Sequence, residues 1–139
     1  MRVYLYFVGR PRDPHANALA ADYVKRTGRC ARCEMRQIQP ARFDPWARHA
    51  GARVILLDAG GRAISSAEFA ALLARAQQAA QDLVFVVGGA DGLPAGWRER
   101  ADLLLSLSAL TFPHELARVI LAEQLYRAFA TLRGHPYPR

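Results

Sequence analysis

The sequence predicts an α/β domain built on a mostly parallel sheet. Two observations carry this. Unbroken apolar, β-branched runs recur along the chain, and the segments between them show helical spacing instead of hairpin signals. The order reads β-α-β…β-α-β…β-α, which favours crossover connections and therefore parallel pairing. At 139 residues the chain predicts one domain.

Residues 3–8, Val-Tyr-Leu-Tyr-Phe-Val, lack polar alternation, as expected of a strand buried on both faces. A helix is predicted over about 17–26, where Leu19, Tyr23 and Val24 share a helical face. Residues 33–39 alternate loosely and predict a second, more exposed strand. Residues 40–52 mix Pro, Asp and Gly without a period and predict a loop, with one helical turn at most.

Val-Ile-Leu-Leu-Asp at 54–58 predicts a third strand, stopped by Gly60 and Gly61. Ser65-Ser66-Ala67-Glu68 then predicts a capping box opening a helix that runs to about Ala80. Residues 83–87 are a fourth buried strand and 103–105 a short fifth. The last helix is predicted from about Pro113, suited to a first turn, to Leu132. Its apolar residues (Leu116, Val119, Ile120, Leu121, Leu125, Phe129, Leu132) cover most of the circumference, so a subunit interface is expected to cover part of it.

Composition narrows the function classes. An apolar fraction of 52% excludes a disordered chain. The apolar run at 3–8 is too short for a secretory signal and no stretch matches a membrane span, so a soluble, cytoplasmic protein is expected. There are 19 basic and 12 acidic residues, giving +7, and every basic residue except Lys25 is arginine. Arginine-rich charge suits RNA phosphates and bases, while a codon-driven arginine bias explains the same count. Cys30 and Cys33 lack the further ligands a zinc site needs and lead into a strand, so two free thiols and no metal are expected.

Ligands of parallel sheets bind beyond the carboxyl ends of the strands. Three loops lie there: after Asp58, after Val87, and after Leu105. Gly88-Gly89 lacks dinucleotide-binding spacing but permits close backbone approach to a ligand or to a neighbouring loop. No Gly-Lys-Ser/Thr phosphate loop and no serine elbow exist. The loop at 107–112 is small, hydroxylated and apolar, a backbone grip without charged side chains.

Four motifs follow one another along the chain: Val-Gly-Gly-Ala-Asp-Gly-Leu at 87–93, Leu-Ser-Leu-Ser-Ala-Leu-Thr-Phe-Pro-His at 105–114, Ala-Glu-Gln-Leu-Tyr-Arg-Ala at 122–128, and Gly-His-Pro-Tyr at 134–137. In order and spacing they resemble the RlmH methyltransferases. Val8-Gly9 and the stretch Leu57-Asp58, Gly61, Ser65-Ser66, Phe69-Ala70 are similar too. The resemblance is dense from 54 to 137 and looser before.

The resemblance implies an α/β-knot (SPOUT) fold with a C-terminal trefoil knot, working as a homodimer. The implied activity is methyl transfer from S-adenosylmethionine to N3 of a pseudouridine in helix 69 of 23S rRNA, on the assembled 70S ribosome. Carried over by position, the cofactor contacts are Leu57, Gly88, Leu107, Ser108, Ala109, Leu110, Thr111 and Phe112. His114, His135 and Tyr137 are the candidates for assisting proton removal, with the tail supplied by the partner subunit. Arg127, Arg133 and Arg139 are the candidate RNA contacts.

Two departures stand out. Pro138 occupies the position where the family usually has a histidine, and the charged segment between the second and third strands is shortened to 39–53, leaving Arg42, Arg48 and Arg53 as docking candidates. Two alternatives stay open: a knotted ribosome-associated RNA-binding protein without catalysis, or a SPOUT methyltransferase acting on another RNA base.

Overall fold

The computed structural model describes residues 1–137. Five strands, β1 (Arg2–Val8), β2 (Arg32–Ile38), β3 (Arg53–Ala63), β4 (Leu83–Val87) and β5 (Leu103–Ser106), form one sheet in the order β2-β1-β4-β3-β5. Every pairing between them is parallel. The helices are α1 (Pro14–Thr27), α2 (Pro45–Arg48), α3 (Ser66–Gln78) and α4 (His114–Leu132), with a 3₁₀ turn at Arg98–Arg100.

Successive side chains of a strand face opposite sides of the sheet, so each buried strand feeds two cores. Val3, Leu5, Phe7, Leu83, Phe85 and Val87 pack beneath α1, α3 and α4, against Phe69, Leu73, Leu121, Leu125 and Phe129. Tyr6, Val54, Leu56, Val84 and Val86 pack on the other face under Trp97, Phe43 and Trp46. β4 lies between β1 and β3 and is buried at every residue, which explains its unbroken apolar sequence. β2, at the edge, is exposed at four of its seven residues.

Local chemistry sets the helix starts. Asp13 caps α1, accepting from the N–H groups of His15 and Ala16, with Pro14 in the first turn. The helix therefore begins three residues before the apolar spacing predicts. The Ser65–Glu68 capping box opens α3 as read from the sequence, with both reciprocal bonds formed. Pro113 stands at the cap of α4 instead of inside its first turn.

β3 departs from the sequence reading, since it continues through Gly60 and Gly61 to Ala63. A register shift between Leu57 and Arg62 lets it keep pairing with β5. At Gly61 a Cβ would sit 2.6 Å from the Leu104 carbonyl oxygen, so the glycine allows close approach instead of ending the strand. α4 differs as well. Leu116 and Leu132 are exposed, while the charged Arg118 is among its most buried residues.

Candidate functional site

The carboxyl ends of β4 and β5 and the middle of β3 meet at one cleft of about 370 Å³, a size typical of small-molecule sites. No loop follows Asp58, because β3 continues past it to Ala63. Leu57 and Asp58 come from β3, Gly88, Gly89 and Asp91 from the loop after β4, and Leu107, Ser108, Leu110, Thr111 and Phe112 from the loop after β5. His114 and Ala117 close the wall at the start of α4. The cleft thus gathers seven of the eight residues selected from the sequence as cofactor contacts. Ala109 is the exception: it is exposed and does not line the cleft.

The loop after β5 is shaped by its own hydroxyls. Ser106 donates to the Ser108 carbonyl at 3.0 Å, and the Ser108 hydroxyl accepts the Leu110 N–H at 2.9 Å. These local bonds hold a tight turn that small hydroxylated residues favour. Among the described residues, the N–H groups of Ala109, Thr111 and Phe112 have no partner within the chain. Leu110, at the loop tip, is 72% exposed.

The paired glycines serve the loop after β4. A Cβ on Gly88 would lie 2.7 Å from the Gly92 carbonyl carbon, and one on Gly89 would lie 2.8 Å from the Val8 carbonyl oxygen. The turn is closed by the Gly92 N–H donating to the Gly89 carbonyl at 2.9 Å. Gly88 thus packs against the far side of its own loop and Gly89 against the end of β1.

Charge is sparse in the cleft. Arg98 pairs with Asp58, yet Asp58 Oδ2 is buried and makes no well-aligned hydrogen bond, so charge contact alone holds the pair. Behind the cleft lies Arg118, 1% exposed. Its guanidinium sits 3.8 Å from the Phe7 ring centroid and donates to Asn17 Oδ1 at 2.9 Å. Its Nη2 is 3.7 Å from Glu115 Oε1, too far for a hydrogen bond, and has no other partner. Burial lowers the Arg118 pKa, against the opposing pull of Glu115.

The remaining candidates are distributed differently. His114 lines the cleft, whereas His135 and Tyr137 do not. Tyr137 turns back onto α4: its hydroxyl donates to Glu123 Oε2 at 2.6 Å and its ring lies 4.7 Å from that of Tyr126. Burial, then the bonded Glu123 carboxylate, raises the Tyr137 pKa, so the phenol stays protonated and donates. The His135 Nδ1 accepts the Tyr137 N–H at 3.1 Å.

Arg127 spends its guanidinium on the same Glu123 carboxylate, at 2.8 to 3.2 Å. Arg133 donates to the Arg29 carbonyl at 2.7 Å. Arg42 and Arg48 are exposed around α2, whereas Arg53 is half-buried within β3. Arg139 and Pro138 lie outside the described residues.

Cys30 and Cys33 are free thiols. Burial pushes the Cys33 thiol up to about 12, far from a reactive thiolate. Among the described residues, no group of three or more His, Cys, Asp or Glu is arranged to hold a metal ion, and no helix is long and apolar enough to cross a membrane.

Glu115, which holds the loop before α1, and the buried Arg118 behind it were not legible in the sequence, because an arginine on a helix usually reads as a solvated face. Nor was the cluster in which Tyr4, Phe43 and His49 gather around Tyr6. The signal for Arg118 was a lone cation three residues after Glu115, amid small and apolar neighbours.

Comparison with known proteins agrees with the fold. The family model described as "Predicted SPOUT methyltransferase" matches residues 1–138. A protein of Solibacter usitatus (strain Ellin6076), named "Ribosomal RNA large subunit methyltransferase H", is 59% identical over 139 residues, the full length of both chains. A protein of the same name from Gloeobacter violaceus is 42% identical over 150 aligned positions, covering 99% of this chain and 98% of its own. Among solved structures, a probable methyltransferase from Bordetella pertussis Tohama I superposes with a TM-score of 0.62 at 16% identity, over 92% of this chain and 94% of that one. At that identity the last likeness speaks for the fold alone. The chain belongs to the SPOUT methyltransferase family.

Proposed function

We propose that the protein is an S-adenosylmethionine-dependent ribosomal RNA methyltransferase that methylates N3 of a pseudouridine in helix 69 of 23S rRNA. In this reading it acts in the cytoplasm, on the assembled 70S ribosome, as a homodimer with a C-terminal trefoil knot. The observation that carries the reading is the convergence of mid-β3 with the loops after β4 and β5 on one cleft lined by Leu57, Gly88, Leu107, Ser108, Leu110, Thr111 and Phe112. The names of full-length relatives support the substrate class.

The residues suit the cofactor. Leu57, Leu107 and Phe112 give apolar walls, while the Thr111 and Phe112 N–H groups are unspent donors. When bound, S-adenosylmethionine supplies an activated methyl group on a sulfonium centre. The methyl group would pass to N3 with loss of the sulfur–carbon bond, an in-line displacement. The protein's main contribution is therefore orientation, and the Ser106 and Ser108 hydrogen bonds fix the loop that would provide it. The N3 proton must leave to a base. His114 is the one of the three candidates that lines the cleft, and Tyr137 is poorly suited because its phenol is held protonated.

Calorimetric titration with S-adenosylmethionine tests this reading. Saturable binding is expected, and an absence of binding at about 1 mM cofactor would leave only the non-catalytic RNA-binding alternative.

A further inference from the structure

The arginines expected to meet RNA are largely engaged within the chain: Arg127 by Glu123 and Arg133 by the Arg29 carbonyl. Two others stand beside the cleft. Arg10 and Arg12 are exposed on the loop between β1 and α1, and among the described residues neither forms an ion pair. Gly9, Arg10 and Pro11 share a small crevice with Gly88 and His114, both of which also line the cleft. The loop thus borders the place where the methyl donor would bind.

This loop is held in position. The Glu115 carboxylate accepts the Arg12 N–H at 2.7 Å and the Asp13 N–H at 3.2 Å. These bonds, that of Arg12 foremost, lower the Glu115 pKa and keep the carboxylate charged. Beneath it, the buried Arg118 guanidinium stacks on Phe7 of β1 and bonds Asn17 of α1. Glu115 and Arg118 lie one turn apart on α4, directly after His114. One helical turn therefore joins the cleft wall to the arginine loop. Guanidinium forks suit phosphate oxygens, and a loop fixed in advance loses less entropy on binding.

We propose that Arg10 and Arg12 contact the phosphate backbone of the RNA substrate beside the cleft, with Glu115 and Arg118 as positioning residues for their loop. This rests on the RNA-methyltransferase reading above. It adds a specific contact surface, separate from the C-terminal arginines.

The test measures binding to purified 70S ribosomes over a range of salt concentrations, without cofactor, followed by methylation kinetics. Arg10→Ala/Arg12→Ala should weaken ribosome binding at least tenfold and flatten the log–log salt slope by about 1.4 to 1.8, the share of two phosphate contacts. Arg10→Lys/Arg12→Lys should keep the slope. S-adenosylmethionine affinity should be unchanged in both.

For positioning, Glu115→Gln should raise the ribosome KM severalfold with little change in kcat. That effect should vanish in the Arg10→Ala/Arg12→Ala background, whereas a purely structural effect would persist there. If the wild type methylates ribosomes and the double alanine variant matches it in affinity and salt slope, this inference falls alone. If the wild type does not bind ribosomes, both readings fall. A Glu115→Gln effect that persists in the double-alanine background overturns the positioning role.

Discussion

Gly88 and Gly92 pack backbone to backbone at the mouth of the cleft: a Cβ on Gly88 would sit 2.7 Å from the Gly92 carbonyl carbon. Nothing at the far end of a flexible side chain is available to yield there. Gly88→Ala should therefore displace the loop after β4, lowering stability by about 1–3 kcal/mol and weakening S-adenosylmethionine binding at least tenfold. Gly60→Ala is the control, because its nearest neighbour would be Asp58 Oδ2 at an ordinary 3.9 Å. Calorimetry on both variants checks this, and an unchanged affinity for Gly88→Ala would refute it.

Tyr137 and Arg127 converge on one carboxylate, Glu123, and so fix the described end of the tail against α4. Tyr137→Phe removes one hydrogen bond to a charged acceptor near the surface and should cost about 1 kcal/mol of stability. The cluster lies outside the cleft lining, so S-adenosylmethionine affinity should stay within about twofold while methyl transfer falls. That separation rests on the proposed role of the tail on the substrate side. Equal losses in affinity and transfer would contradict it.

The aromatic cluster on the opposite face predicts an acid sensitivity. Burial pushes the Tyr6 phenol up to about 12, so it is the donor in its 2.6 Å bond to His49 Nε2, and the imidazole accepts as the neutral base. Burial, then the Arg48 charge, lowers the His49 pKa, with Asp82 and Glu34 opposing. The unfolded chain thus binds this proton more readily than the folded one. The stabilising contribution is complete above the unfolded value of about 6.5 and is lost as pH falls through the lower folded value. Melting temperature should drop between pH 7.5 and 5.5, and less so in His49→Gln. Parallel profiles for the two proteins would sink this assignment.

Much of the fold was legible because it rests on local or strongly periodic features. The burial of β1 and β4 followed from runs without polar alternation, and the start of α3 from its capping box. The path of β3 through Gly60 and Gly61 was not legible, since a register shift is a property of two strands together. Strand-end logic located the loops after β4 and β5 but not a third, because β3 continues beyond Asp58 to Ala63; the structure still gathers all but Ala109 of the selected residues into one cleft. Arg118 was illegible for a different reason. Its burial depends on Phe7, Asn17 and Glu115, which three separate elements bring together.

Methyl transfer to ribosomal RNA is followed most directly through the fate of a labelled methyl group from S-adenosylmethionine. The purified protein is incubated with 70S ribosomes lacking the modification, and in parallel with naked 23S rRNA, and the methylated nucleotide is mapped. One methyl group is expected on N3 of a pseudouridine in helix 69 of the ribosome sample, and far less on naked RNA. Label on another base, on naked RNA alone, or on no RNA would contradict it.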